Sequence, residues 1–165
     1  MRRKEMMSPA MLAQGAMIAA IYVVLTMIFA PISFGPIQFR ISEALAILPM
    51  FTPAAIPGLF VGCFLANLFC GAATLDVICG SIATLLGALG SYALRDRKWL
   101  VCIPPIVSNM IIVPWVLRFA YGSEDLIPYA MLTVGIGEVL AIGGLGNMLR
   151  ILLEKYRGVI FHTAV

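Results

Sequence analysis

Long apolar segments without a charged residue constrain the fold of this chain more than any other feature. No Asp, Glu, Lys or Arg occurs between Glu5 and Arg40, and none occurs between Glu43 and Asp76. Of the 165 residues, 62% are hydrophobic and only 12% are charged, whereas soluble domains carry roughly 25% charged residues. A soluble domain of this size cannot bury so much apolar surface. The chain is therefore predicted to be an integral membrane protein.

Six membrane-spanning helices in a single transmembrane domain, residues 1–165, account for the apolar segments. A spanning helix needs about 20 residues, so six helices use about 120 of the chain. The predicted all-α bundle has helices at residues 11–30, 40–51, 54–69, 76–94, 99–121 and 127–153. The second and third contain prolines and hold about 12 and 16 residues, which is short for a core of about 30 Å. We expect these two to be tilted, kinked or embedded in protein.

The distribution of Lys and Arg predicts the orientation. The basic residues cluster before the first predicted helix, between the fourth and fifth, and at the end of the chain, as Arg2, Arg3, Lys4, Arg95, Arg97, Lys98, Arg150, Lys155 and Arg157. Six spans place all three clusters on one side and leave only Arg40 and Arg118 for the other. Cytoplasmic loops carry the excess of Lys and Arg, so both termini are predicted to be cytoplasmic. The basic start resembles a signal peptide, but the absence of a small-residue cleavage site favours a spanning helix.

Polar side chains inside the apolar segments are candidates for function, because a charge in hydrocarbon is costly. The predicted topology brings six of them from five helices into the outer half of the bundle: Arg40, Glu43, Asn67, Asp76, Asn109 and Glu138. Three acids and one base give a net charge of −2 if all are ionised. The sequence thus predicts a cavity open to the exterior that prefers a cation, or a neutral solute rich in N–H donors, over an anion.

Structural roles are open alternatives for most of these residues. Arg40 and Glu43 are three residues apart and could pair with each other. Asp76 could be a helix N-cap or a first-turn acid that the helix dipole stabilises. The two asparagines could form hydrogen bonds between helices. Glu138 is the hardest to explain structurally, because it lies within a helix with no neighbouring cation.

Aromatic residues near the predicted outer side are candidates for stacking on a flat ligand. They are Phe34, Phe39 and Trp115, and the alternative is a belt of aromatics at the membrane interface. The four cysteines lie in apolar runs and form no CxxC pair. We interpret them as small buried hydrophobic residues and expect no metal site.

Small residues on the first helix predict a docking face. Ala16 and Ala20 form a small-xxx-small pair, which lets another helix approach closely. The partner could be a helix of this chain or another membrane subunit. The chain lacks a Walker-type GxxxxGK[ST] loop, an HExxH motif and a GxSxG motif, so we expect neither an enzyme nor a cofactor, and no use of ATP by this chain alone.

Several blocks of the sequence resemble the QueT family. They are FGPIQFRISE at residues 34–43, TPAAIPGLF at 52–60, LDVICG at 75–80, ATLLG at 83–87 and VGIGE at 134–138. The resemblance extends over about residues 11–153. Members of this family are substrate-binding S components of energy-coupling factor (ECF) transporters, assigned to queuosine precursors.

The resemblance implies a multi-pass protein of a prokaryotic plasma membrane that imports a 7-deazaguanine. It implies partners: a transmembrane coupling subunit, docked on the face of Ala16 and Ala20, and two cytoplasmic ATPase subunits. The loop at residues 31–39 would act as a lid, which adds Gln38 and Phe39 to the candidate site. We expect Glu138 and Glu43 to contact the base edge or amine, with Arg40 holding Glu43 or closing the lid.

Other functions are compatible with the residues alone. A solitary carrier could use Glu138 as its proton-coupling carboxylate, and an S component could carry another vitamin. A membrane assembly factor would use the buried charges only to hold helices together. Uptake by the isolated chain would indicate the carrier, and the absence of any ligand would indicate the assembly factor.

Overall fold

The computed structural model describes residues 8–33 and 39–156, and within these ranges the chain is helical and has no strand. In chain order the elements are α1 (Pro9–Ile28), α2 (Ala30–Ser33), a 3₁₀ helix (Ile41–Met50), α3 (Ala55–Phe69), α4 (Thr74–Ala93), α5 (Ile103–Ala120), α6 (Ile127–Glu138), a π-helical segment (Val139–Gly146) and α7 (Asn147–Lys155). Four helices are long and apolar enough to cross a membrane, namely α1, α4, α5 and the continuous helix Ile127–Lys155. Six spans with both termini in the cytoplasm stay a prediction.

Proline and serine set the helix starts. Ser8 precedes α1, and its hydroxyl accepts a hydrogen bond from the backbone N–H of Met11 at 3.3 Å. The prediction that the fifth helix begins at residue 99 was wrong, since α5 begins at Ile103. Pro104 and Pro105 then occupy its first turn, where the missing backbone N–H costs no helical hydrogen bond.

The 3₁₀ helix lies at the centre of the bundle. Every residue from Ser42 to Met50 is buried, and the helix packs against α1, α3, α4, α7 and the π-helical segment. At about 2 Å per residue a 3₁₀ helix is also longer than an α-helix of the same sequence. This short helix was expected to be tilted, kinked or embedded in protein. In the structure it is embedded in protein.

Glycines allow the flanking helices to approach closely. A Cβ placed on Gly58 of α3 would lie 2.7 Å from the carbonyl oxygen of Gly15 in α1. A Cβ on Gly87 of α4 would lie 2.6 Å from the Cα of Pro105 in α5. The small residues therefore define two tight helix contacts on which the position of the polar side chains depends.

The last helix widens immediately after Glu138. The residues Val139–Gly146 form the π-helical segment, which packs against the 3₁₀ helix near Gly146. Departures of this kind from α-helical geometry occur frequently at functional sites. Here the widened segment lies next to a buried carboxylate in the middle of the bundle.

The loop after α4 and the end of α7 lie at the same end of the molecule. Lys98 and Glu154 form an ion pair with an N–O distance of 2.9 Å. Arg150 is buried, donates to Asn147 at 2.7 Å and lies 5.0 Å from the ring centroid of Trp99. Two of the three basic clusters are thus joined directly, while Arg2, Arg3, Lys4 and Arg157 lie outside the described residues.

The contact between α4 and α5 predicts a specific destabilisation. We expect Gly87→Ala to destabilise the protein by about 1–3 kcal/mol, because the new methyl group meets proline backbone that cannot move aside. Gly144→Ala is the matched control, since no atom lies within 4 Å of a Cβ at that helical position. Thermal unfolding in detergent measures both, and equal melting temperatures would contradict the tight contact.

Candidate functional site

The six polar residues predicted to share one region are all buried. Their exposed fractions range from 0% for Asn67 to 6% for Arg40. They come from the 3₁₀ helix and the residue preceding it, α3, α4, α5 and α6. Hydrogen bonds and electrostatic contacts join them into two connected groups.

The first group surrounds Arg40. Its Nη2 forms an ion pair with Oδ2 of Asp76 at 3.5 Å, and its Nη1 donates to Oδ1 of Asn67 at 3.3 Å. The amide of Asn67 in turn donates to the backbone carbonyl of Asp76 at 3.2 Å. Arg40 thereby ties the start of the 3₁₀ helix to α3 and α4.

Tyr121 belongs to this group and was not predicted from the sequence. Its hydroxyl donates to Oδ2 of Asp76 at 3.0 Å and accepts from the backbone N–H of Ala73 at 3.1 Å. Tyr121 is 47% exposed, so it connects the buried ion pair to the surface. Nothing in the sequence separates it from an ordinary interfacial tyrosine.

The second group contains Glu43 and Glu138. The side-chain amide of Asn109 donates to Oε1 of Glu138 at 2.9 Å and also interacts with Glu43. The hydroxyl of Tyr22, on α1, donates to Oε1 of Glu43. Glu43 and Glu138 act electrostatically on each other and on Arg40, which links the second group to the first.

The three carboxylates share one arrangement. In each carboxylate, one oxygen is bound by a side chain from another helix or from a residue next to a helix. The second oxygen has no hydrogen-bond partner among the described residues, and these atoms are Glu43 Oε2, Asp76 Oδ1 and Glu138 Oε2. Buried polar atoms are almost always paired, so three unpaired carboxylate oxygens in one region make it the candidate place for further N–H donors.

Gly80 makes room for one of these oxygens. A Cβ at this position would lie 2.9 Å from Oδ1 of Asp76 and 3.2 Å from the amide nitrogen of Asn67. Both Asp76 and Gly80 lie on α4 one turn apart, so any larger residue would press on the carboxylate. The glycine keeps the unpaired side of Asp76 open.

The structure answers some of the open alternatives. Arg40 forms its ion pair with Asp76, although the charge of Glu43 also acts on it. Asp76 is not the N-cap of α4, since that position is Ala73 and Asp76 lies within the first turn. Both asparagines form hydrogen bonds between helices, which is the structural role considered for them. Each also contacts a charged side chain of the site, Asn67 that of Arg40 and Asn109 that of Glu138.

The aromatic candidates do not join the cluster. Trp115 is 48% exposed and stacks on Phe119 with 6.2 Å between ring centroids, so the structure does not bring it together with the buried polar residues. It lies six residues after Asn109, roughly 240° around the helix, and therefore faces away from the buried groups. Phe39 is half-buried, whereas Phe34 and Gln38, within the predicted lid, lie outside the described residues.

The cysteines are free thiols, but they are less buried than predicted. Cys63 is fully buried, and its sulfur accepts a hydrogen bond from Asn67 at 3.7 Å. The other three are half-buried: Cys79 lies on α4, Cys70 directly follows α3 and Cys102 directly precedes α5.

The small residues of α1 divide between two faces. Gly15 and Ala19 are buried against Gly58 and Gly62 of α3. The predicted docking residues Ala16 and Ala20 are exposed. Ala16 borders an apolar groove of about 250 Å³ between α1 and α3, lined by Leu12, Gly15, Ala16, Ala19, Pro57, Gly58 and Val61.

Comparisons with known proteins identify the family. The model of the QueT transporter family matches residues 12–155. The queuosine precursor transporter QueT of Lactococcus lactis subsp. cremoris is 42% identical over 84 residues, which are 50% of this chain and 49% of that protein, so the match covers about half of each. No solved structure matches the chain. The family model covers nearly all of the described helices and confirms the resemblance seen in the sequence blocks: the chain belongs to the QueT transporter family.

Proposed function

We propose that this chain is the membrane-embedded substrate-binding subunit of an ECF-type importer and that it binds a queuosine precursor from outside the cell. The ligand would be a 7-deazaguanine, such as its aminomethyl form or queuine. Membership of the QueT transporter family supports the transport role. The name of the relative from Lactococcus lactis supports the class of ligand.

The three unpaired carboxylate oxygens carry the proposal. A guanine-type base presents adjacent N–H donors on one edge, and a carboxylate can accept both. Such a ligand would supply the donors that Glu43 Oε2 and Glu138 Oε2 lack. The low dielectric of a buried site makes each of these hydrogen bonds stronger than it would be at a surface.

The charge balance favours the same ligand. The single positive charge of Arg40 pairs with Asp76 and also acts on Glu43 and Glu138, so one cation faces three acids. An aminomethyl group carries a positive charge and would interact favourably with the two glutamates. An anionic solute would meet repulsion in this site, whose three acids and one base carry a net charge of −2 when all are ionised.

ATP hydrolysis is assigned to partner subunits, as in other S components that the sequence resembles. The exposed face of α1 is the proposed contact with the transmembrane coupling subunit. The side chains of Ala16 and Ala20 are exposed but small, so a second helix can approach the backbone of α1 closely. The groove beside Ala16 would receive larger side chains of that partner.

Glu138→Gln tests the ligand site. We expect the affinity for 7-aminomethyl-7-deazaguanine to fall about 10–100-fold, since a hydrogen bond to a charged group contributes about 1.5–3 kcal/mol. The melting temperature of the ligand-free protein should stay equal or rise, because a partly unpaired buried charge is removed. Titration calorimetry and thermal unfolding of the purified protein measure the two quantities.

Glu154→Gln is the control for this prediction. Glu154 is a carboxylate farther along the same continuous helix, and it pairs with Lys98 and Arg150 away from the site. Its variant should bind the ligand normally. If Glu138→Gln binds normally, Glu138 is not part of the site; if it loses stability together with affinity, the glutamate holds the helices together instead.

Ala16→Trp tests the docking face separately. We expect uptake by the assembled transporter in cells to be abolished, because the indole prevents close approach of a partner helix, while ligand binding by the purified chain is unchanged. Ala93→Trp, at an exposed alanine at the end of α4, should leave both unchanged. Uptake of the ligand by this chain alone in vesicles would contradict the need for partners and indicate a solitary carrier.

A further inference from the structure

Tyr22 is a buried polar residue whose role the proposed function does not explain. It is 1% exposed, lies in the middle of α1, and donates its hydroxyl hydrogen to Oε1 of Glu43. Thr26, one turn later on α1, donates through Oγ1 to Ser42 Oγ of the 3₁₀ helix at 2.8 Å. The residues Tyr22 and Thr26 thus form one polar stripe facing two consecutive residues, Ser42 and Glu43.

The position of Tyr22 is fixed by the contact between α1 and α3. A Cβ placed on Gly62 would lie 2.9 Å from the Cβ of Tyr22 and 3.1 Å from the Cα of Ala19. The tyrosine side chain therefore begins at a point where the two helices are as close as their backbones allow. Such packing leaves the phenol little freedom to move away from the glutamate.

Glu43 and Glu138 are held in the same manner. Tyr22 donates to one oxygen of Glu43, and Asn109 donates to one oxygen of Glu138. In both, the second oxygen is buried and has no hydrogen-bond partner within residues 8–33 and 39–156. These two donors come from different helices, and Asn109 also interacts with Glu43, so neutral donors on α1 and α5 together orient the two glutamates.

The donors are neutral, and this distinguishes them from Arg40. The guanidinium of Arg40 offsets the charge of Asp76 as well as holding it. A phenol or an amide orients a carboxylate but leaves its negative charge in place. The two carboxylates held by neutral donors are therefore the ones able to attract a cationic, N–H-rich ligand.

We propose that Tyr22 is a positioning residue of the substrate site, which orients Glu43 through Oε1 so that Oε2 accepts an N–H of the ligand. This inference rests on the proposed function. Tyr22 itself need not touch the ligand, because its action is exerted through the glutamate.

Tyr22→Phe tests the proposal, with Thr26→Val as the matched control. Each variant removes one hydrogen bond between the same two helices, so both should lower the melting temperature by similar amounts. Only Tyr22→Phe should weaken binding of 7-aminomethyl-7-deazaguanine, by about tenfold, as expected for the loss of one hydrogen bond to a charged group. Titration calorimetry on the full chain measures the affinity.

A double-mutant cycle separates positioning from a general structural effect. In a Glu43→Gln background, Tyr22→Phe should change the affinity less than about twofold, because the carboxylate that it orients is absent. Glu43→Asp, which withdraws the carboxylate from the phenol but keeps its charge, should weaken binding as Tyr22→Phe does.

Two failures have different meanings. If the wild-type chain does not bind the 7-deazaguanine, the proposed function is wrong and the role of Tyr22 falls with it. If the wild type binds but Tyr22→Phe and Thr26→Val both retain full affinity, only the role of Tyr22 is overturned. Equal losses of affinity in these two variants would also overturn it, since they would show a general effect of loosening α1.

Discussion

Burying three carboxylates beside one guanidinium is the constraint on which the rest of this structure depends. Removing a charge from water costs several kcal/mol, and a paired partner repays this only when the geometry is good. Arg40 meets the condition for Asp76, with support from Tyr121 and Asn67. Glu43 and Glu138 accept their hydrogen bonds from the neutral donors Tyr22 and Asn109. The folded chain thus retains an electrostatic cost that a transported ligand could relieve.

Close helix packing keeps these charged groups away from water. The contacts at Gly58, Gly62 and Gly87 leave little space between α1 and α3 and between α4 and α5, so the helices cannot separate easily to hydrate the charges. The 3₁₀ helix, buried from Ser42 to Met50, carries Glu43 in the interior rather than against lipid. A short helix that could not span a bilayer by itself is therefore suited to holding a charged group in the centre of the bundle.

The sequence predicted much of this arrangement because a charge within an apolar segment has few explanations. Arg40, Glu43, Asp76 and Glu138 were recognisable for that reason, and the structure brings all of them together with the two asparagines. Tyr22 and Tyr121 were missed because tyrosine is ordinary in an apolar segment and at a membrane interface; the spacing of Tyr22 and Thr26 on one face of α1 was the available signal. Trp115 lies outside the cluster because it occupies a different face of α5 from Asn109, and its aromatic character alone does not show which face that is. The start of α5 was placed too early because hydrophobicity alone does not show that Pro104 and Pro105 belong to a first turn.

Under the proposed function, the kind of donor that each carboxylate receives distinguishes a structural role from a role in ligand binding. Arg40 and Asp76 join three elements and offset each other, so they resemble the paired charges that hold membrane helices together. Tyr22 and Asn109 orient two glutamates without offsetting them, which would leave the negative charge for a ligand. Tyr22 also shares α1 with the exposed Ala16 and Ala20. A partner that displaced α1 relative to the 3₁₀ helix would therefore move the phenol relative to Glu43, so the same helix that is proposed to dock the partner also reaches the proposed ligand site.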